Sequence, residues 1–192
     1  MKFRTMVNFT FLVAGLVVFS NASAGAITCG GAPLDRTATL TSATSCTEGL
    51  GNPGLADILA DYSGESWSGA GQLVVDGTND YLTVSLTSGS WGAAPIEADW
   101  EISSDFWSNY AEAVISIHVG NGAGDPDYFA WSIMDNATTG TLSYEILTGN
   151  GGGLSNMKLW GRGTASVPAP ATVALLGLGL MGLVLSRKRK PA

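Results

Sequence analysis

The chain has 192 residues and a formal charge of −7, sixteen Asp and Glu against nine Lys and Arg. Six of the cations lie at the ends (Lys2, Arg4, Arg187, Lys188, Arg189 and Lys190), so residues 25–166 hold three cations and all sixteen acids, a formal charge of −13. That charge argues against nucleic acid and anionic membrane surfaces as partners, and it suits solubility, loose cation binding or cationic polymers.

Lys2 and Arg4 open a short basic start, Phe9 to Phe19 is apolar, and Ala22-Ser23-Ala24 is a small-residue cleavage pattern. The order is that of a secretory signal peptide over residues 1–24, cut between Ala24 and Gly25. Ala26-Ile27-Thr28 ahead of Cys29 is not a lipoprotein signal. Residues 25–166 are long enough for one domain with its own core. Its two cysteines, Cys29 and Cys46, form an even pair in an exported chain and are expected to be a disulfide. The loop they close is worth about 3 kcal/mol in the chain-entropy view. A metal pair is the weaker reading, since His118 is the sole histidine and no further cysteine completes a site.

Residues 30–52 are rich in Thr, Ser and Gly and read as irregular or edge structure. Between Pro53 and Tyr62, Leu55, Ile58, Leu59 and Tyr62 recur at helical spacing. From Gln72 the period becomes two. Leu73-Val74-Val75 leads into turn chemistry at Asp76-Gly77-Thr78-Asn79-Asp80, and Leu82, Val84 and Leu86 then alternate with Thr83, Ser85 and Thr87. Ile96, Ala98, Trp100 and Ile102 alternate with Glu97, Asp99 and Glu101, the pattern of an antiparallel strand with one wet face. Ala113, Ile115, Ile117 and Val119 share a face opposite Val114, Ser116 and His118. Further strands are expected at Tyr128 to Met134, around Leu142-Tyr144-Ile146, and at Asn156 to Gly161. About seven strands with Gly/Asn/Asp turns predict an all-β, antiparallel β-sandwich, jelly-roll-like in its compatible variants.

The residues that carry chemistry are few. His118 alternates with an apolar face on a predicted strand, which suits a structural or surface histidine better than a catalytic base. No Gly-x-Ser-x-Gly is present. Glu97, Asp99, Glu101 and Glu145 can be nominated as paired glycosidase carboxylates, although acids alternating with apolar residues are the ordinary wet face of a sheet. Asp76, Asn79 and Asp80, or Asp125 and Asp127, offer calcium ligands without the spacing of an EF-hand, and read better as turn residues. Of the six tryptophans, Trp100 belongs to the core pattern. Trp67, Trp91 and Trp107 sit near polar segments, where a stacking platform for sugar rings competes with core packing. No catalytic residue, cofactor or metal site is assigned.

The tail has three parts in fixed order. Val167-Pro168-Ala169-Pro170 cannot continue a helix or central strand and forms an extended hinge. Residues 171–186 are uncharged until their end, rich in Leu and interrupted by Gly177, Gly179 and Gly182, just long enough for a membrane span. Arg187-Lys188-Arg189-Lys190 is the expected cytoplasmic flank, which puts the domain on the far side of the membrane.

The order of Pro-x-Pro motif, Gly/Leu-rich span and basic cluster resembles the PEP-CTERM sorting signal of exported proteins in Gram-negative bacteria, with Ala169 where the commonest motif has Glu. The stretch from His118-Val119-Gly120 through Tyr128-Phe129-Ala130-Trp131, Thr139-Gly140-Thr141 and Gly153-Leu154-Ser155 also resembles, more loosely, the globular part of such proteins. The resemblance implies a signal at 167–192, processing by exosortase, an integral-membrane protease-transpeptidase, and a precursor held at the inner membrane before release to the cell surface or extracellular matrix. It further implies a non-enzymatic role associated with exopolysaccharide or biofilm. The alternative is a small carbohydrate-binding or glycan-active domain delivered by the same tail.

Overall fold

The computed structural model describes residues 25–64, 66–120, 124–149 and 151–163. The expected signal peptide with Ala24, and the tail with Val167, Pro168, Ala169, Pro170 and Arg187 to Lys190, lie outside the described residues. Among the described residues no helix is long and apolar enough to cross a membrane. Strands dominate, and all pairings are antiparallel.

In chain order the elements are β1 (Ala26–Gly30), β2 (Arg36–Thr41), β3 (Ala43–Gly49), α1 (Leu55–Asp61), β4 (Trp67–Leu73), β5 (Gly77–Asn79), β6 (Leu82–Ser88), β7 (Ile96–Ile102), α2 (Phe106–Asn109), β8 (Glu112–His118), β9 (Tyr128–Ile133), β10 (Thr139–Ile146) and β11 (Asn156–Arg162). They form a six-stranded sheet in the order β1-β2-β10-β7-β6-β5 and a five-stranded sheet in the order β3-β9-β8-β11-β4. Both contribute to one buried cluster: Leu40, Val84, Ile96, Trp100 and Leu142 from the first, and Ile115, Ile117, Trp131, Met157 and Leu159 from the second.

The period-2 reading of β7 is met in full, with Ile96, Ala98, Trp100 and Ile102 buried and Glu97, Asp99 and Glu101 exposed between them. The Trp100 indole fits because its cross-strand neighbour is Gly140, where an added Cβ would lie 2.5 Å from the ring. Three expectations need correction. Residues 30–52 are edge structure only in part: β3 is an edge strand, but β2 is interior to its sheet. β2 turns Arg36, Ala38 and Leu40 inward, and a cation and a small side chain at core positions hide the alternation. The eleven strands among the described residues exceed the expected seven, because β1 precedes the 30–52 region, β5 lies within the segment read as a turn, and the 30–52 region supplies two more. The single expected helix shortens to α1, and a second helical turn, α2, joins it.

Arg36 has no exposed surface. Its Nη1 donates to Pro126 O at 2.7 Å and Gly120 O at 3.3 Å, and lies 3.3 Å from Asp127 Oδ1. Asp127 in turn accepts from Gly51 N at 2.8 Å. The Cys29–Cys46 disulfide is present and joins β1 to β3, the edge strands of the two sheets on the same side of the core. Removing one partner of a buried ion pair strands the other charge. Asp127→Ala is expected to cost about 3 kcal/mol and to lower the melting temperature by roughly 10 °C, measured by thermal unfolding with the disulfide intact.

Candidate functional site

The outer face of the six-stranded sheet is lined mainly by hydroxyls and carboxylates at its outward positions, with Ala26 opposite Thr41 at the β1 edge. Cross-strand register sets them in rows. Thr28 faces Thr39, Thr39 faces Ser143, Ser143 faces Glu97, and Glu97 faces Ser88. A second row runs Thr141, Asp99, Ser85, and a third runs Thr139, Glu101, Thr83, Thr78. Neighbouring hydroxyls pair within the rows: Thr28 with Thr39 at 2.8 Å, Thr78 with Thr83 at 2.8 Å, and Thr41 with Thr141 at 3.3 Å. The rows border three adjoining shallow depressions of about 400, 330 and 250 Å³ that share Glu97, Asp99, Thr141 and Ser143 among their walls. Glu145, beside Thr37, extends the acidic edge.

No cation answers these acids on the same face. Of the three cations in the domain, Arg36 is interior, while Lys158 and Arg162 lie on the outer face of the opposite sheet. There they strap α1 to β11. Lys158 Nζ donates to Asn52 Oδ1 at 2.9 Å and Pro53 O at 2.7 Å, ahead of the helix. Arg162 donates to Ser63 O, behind the helix, and to Glu112 Oε2. Burial holds the Lys158 ammonium below its usual pKa. Under α1, Ile58, Trp67, Val114, Tyr128, Ala130 and Trp160 form a second buried cluster. β8 is therefore buried on both faces.

The other nominated residues serve the fold. Asp76 accepts from Leu86 N at 3.1 Å and from Trp91 Nε1 at 2.6 Å, and Asn79 Oδ1 accepts from Gln72 N. Asp127 is engaged by Arg36 and Gly51, and Asp125 N donates to Asp35, whose carboxyl is held below its usual pKa first by the Thr148 hydroxyl and then by that amide. Among the described residues no three His, Cys, Asp or Glu are grouped to hold a metal ion. His118 is buried, with Nδ1 2.5 Å from Ser155 Oγ. The tryptophans do not form a platform. Trp67 is buried against Tyr62 and Arg162, Trp91 is tied to Asp76, and Trp107 Nε1 donates to Ala137 O at 2.9 Å. Gly25, the expected first residue of the mature chain, accepts from Ala43 N at 3.3 Å. Sequence reasoning found the β7 acids but missed the hydroxyl rows of β1 and β2, although Thr37-Ala38-Thr39-Leu40-Thr41 carries their alternation.

Residues 166–190 match the PEP-CTERM protein-sorting motif. The chain carries that motif, and the motif implies a membrane-anchored precursor that is processed by an exosortase, itself a membrane protein, and exported to the cell surface. No curated protein and no solved structure matches the chain.

Burial raises the phenols of Tyr62 and Tyr144 to about 12, and pushes Tyr128 up further with help from the Asp61 carboxylate that accepts its proton. A folded-state pKa above the unfolded value of about 10 means the fold favours the neutral phenol. This contribution is fully present below pH of about 10 and is lost as pH rises through the folded values. The denaturation midpoint is expected to stay level from neutral pH to that point and to fall steeply above it. Tyr62→Phe, less stable at neutral pH for want of the bond to Ala130 O, should show a shallower fall.

Proposed function

We propose that the mature domain is a non-enzymatic cell-surface or matrix protein whose six-stranded face lies against exopolysaccharide. The sorting motif at 166–190 carries the export half of this reading. The face rich in hydroxyls and carboxylates carries the other half. Rows of Thr and Ser present donors and acceptors at strand spacing, about 4.8 Å apart across the sheet, so an extended sugar chain meets a regular series of hydrogen-bonding partners. Unpaired acids add attraction for amino sugars or for cations that bridge to acidic ones. We read the two sheets as a jelly-roll-like sandwich, supported by the core they share. The inner membrane is the precursor's first surface, and the extracellular matrix its destination.

A glycan-active role is the second reading, favoured by β7 itself. Residues two apart on one strand face sit about 6.7 Å apart, within the roughly 6.5–9.5 Å between the carboxyls of an inverting glycosidase. Glu97 with Asp99, or Asp99 with Glu101, meets that spacing.

Co-sedimentation with exopolysaccharide purified from the producing cells separates the readings. The domain is expected to co-sediment without releasing reducing ends. Replacing Thr39, Thr141 and Ser143 by Val, Val and Ala should weaken binding at least threefold while the melting temperature holds. Release of reducing ends that disappears in Glu97→Gln, Asp99→Asn or Glu101→Gln would instead favour the enzyme. Mass spectrometry of the exported protein tests the sorting half, with a new C-terminus upstream of residue 171 expected and an intact Ala192 counting against it.

A further inference from the structure

β11, the last strand among the described residues, ends only a few residues before the sorting motif. β11 stays paired to its last residue, Arg162 opposite both Trp67 on β4 and Glu112 on β8. Arg162 O accepts from Ala111 N at 3.0 Å, and the Arg162 guanidinium carbon lies 4.7 Å from the centroid of the Trp67 ring while the same group donates to Ser63 O and Glu112 Oε2. The final residue of β11 thus latches β4, β8 and the segments that follow α1 and precede β8. Gly163 follows with φ of 71°, a left-handed turn out of the sheet.

Only Thr164, Ala165 and Ser166 separate Gly163 from Val167, where the Pro motif begins. At about 3.5 Å per residue the Cα of Val167 cannot lie more than about 14 Å from that of Gly163. An enzyme that grips the motif together with a few preceding residues in extended form therefore reaches the pole of the domain. Beside the aromatic rings of that pole, several of the described side chains nearest the exit are short. Ser63, Gly64, Ala111 and Gly163 are exposed, and Glu112, the long acid among the described residues there, is paired with Arg162.

We propose that this pole, formed by Ser63, Gly64, Ala111 and the Arg162–Glu112 pair, is a docking surface for the membrane-embedded enzyme that processes the tail. The proposal rests on the sorting reading. Its basis is the length of chain between the latch and the motif, with the close fit that small side chains around the exit allow. Arg162 is a positioning residue in this arrangement: it ends the folded body at a set distance from the motif.

The test uses the full chain in its producing cell, with the fraction processed read from the C-terminal peptide by mass spectrometry. Ala111→Arg and Ser63→Arg place a long side chain on the pole without touching the core. Formation of the Cys29–Cys46 disulfide and resistance to added protease report that each variant folds. Both are expected to slow processing at least threefold. Twelve Gly/Ser residues inserted after Gly163 should restore the parent rate in both, because the enzyme then no longer meets the pole. If the folded variants are processed as fast as the parent, or faster as contact with anionic headgroups would favour, the docking surface is wrong while sorting stands. If the slowed variants stay slow with the insert, the pole acts other than by contact and the proposal falls. A parent chain that keeps its C-terminus at Ala192 removes the sorting reading and this one with it.

Discussion

A guanidinium sealed from water organises one end of this domain. Arg36 sits on an interior strand and gathers the carbonyls of Gly120 and Pro126 with the carboxylate of Asp127. Taking a cation out of water is costly unless hydrogen bonds and an opposite charge replace the hydration. The loop around residue 126 is therefore held where its carbonyls can do so. The neighbouring backbone follows: Asp35 N donates to Asp125 O, and Asp35 O accepts from Leu147 N and Thr148 N. At the other end of the same strands, Tyr81, Phe106, Trp107 and Tyr110 pack together, Phe106 against Tyr110 tilted and the other pairs edge to face, and close the core with rings. One pole is sealed by charge and hydrogen bonds, the other by aromatic surface, and the chain leaves the fold at the aromatic pole.

This contrast explains what could be read from the chain. β7 was legible because its inward side meets the core and its outward side meets water, so burial and polarity alternate residue by residue. The expected face of Val114, Ser116 and His118 on β8 is no wet face: Val114 packs with Ile58 of α1 and Trp160, and Trp160 Nε1 donates to Ser116 Oγ. Periodicity reports one wet face only where nothing lies on the second. β2 was missed for the opposite reason. Its core positions carry Arg36 and Ala38, and no local pattern announces that a charge will be solvated by a loop some ninety residues away. The sorting motif was legible because its three parts are defined by chemistry in sequence order. The hydroxyl face was not, since its rows exist only when β1, β2, β10, β7 and β6 lie side by side.

The disposition of the few cations gives the domain two unlike faces. Lys158 and Arg162 are consumed in fastening α1, each near a tryptophan ring, at 5.8 Å from Trp160 and 4.7 Å from Trp67. The acids of β7 are left without a partner of opposite sign. At physiological ionic strength their field decays over about 8 Å, so they act on what touches the sheet and not on what approaches it. Contact recognition of that kind needs a partner that lies flat and repeats. An extended sugar polymer does both, and each strand crossing adds a weak hydrogen-bonding contact, so affinity grows with the length engaged. On the proposed reading the six-stranded sheet meets polymer with its outer face, while the tail leaves from the C-terminal end of β11 in the other sheet.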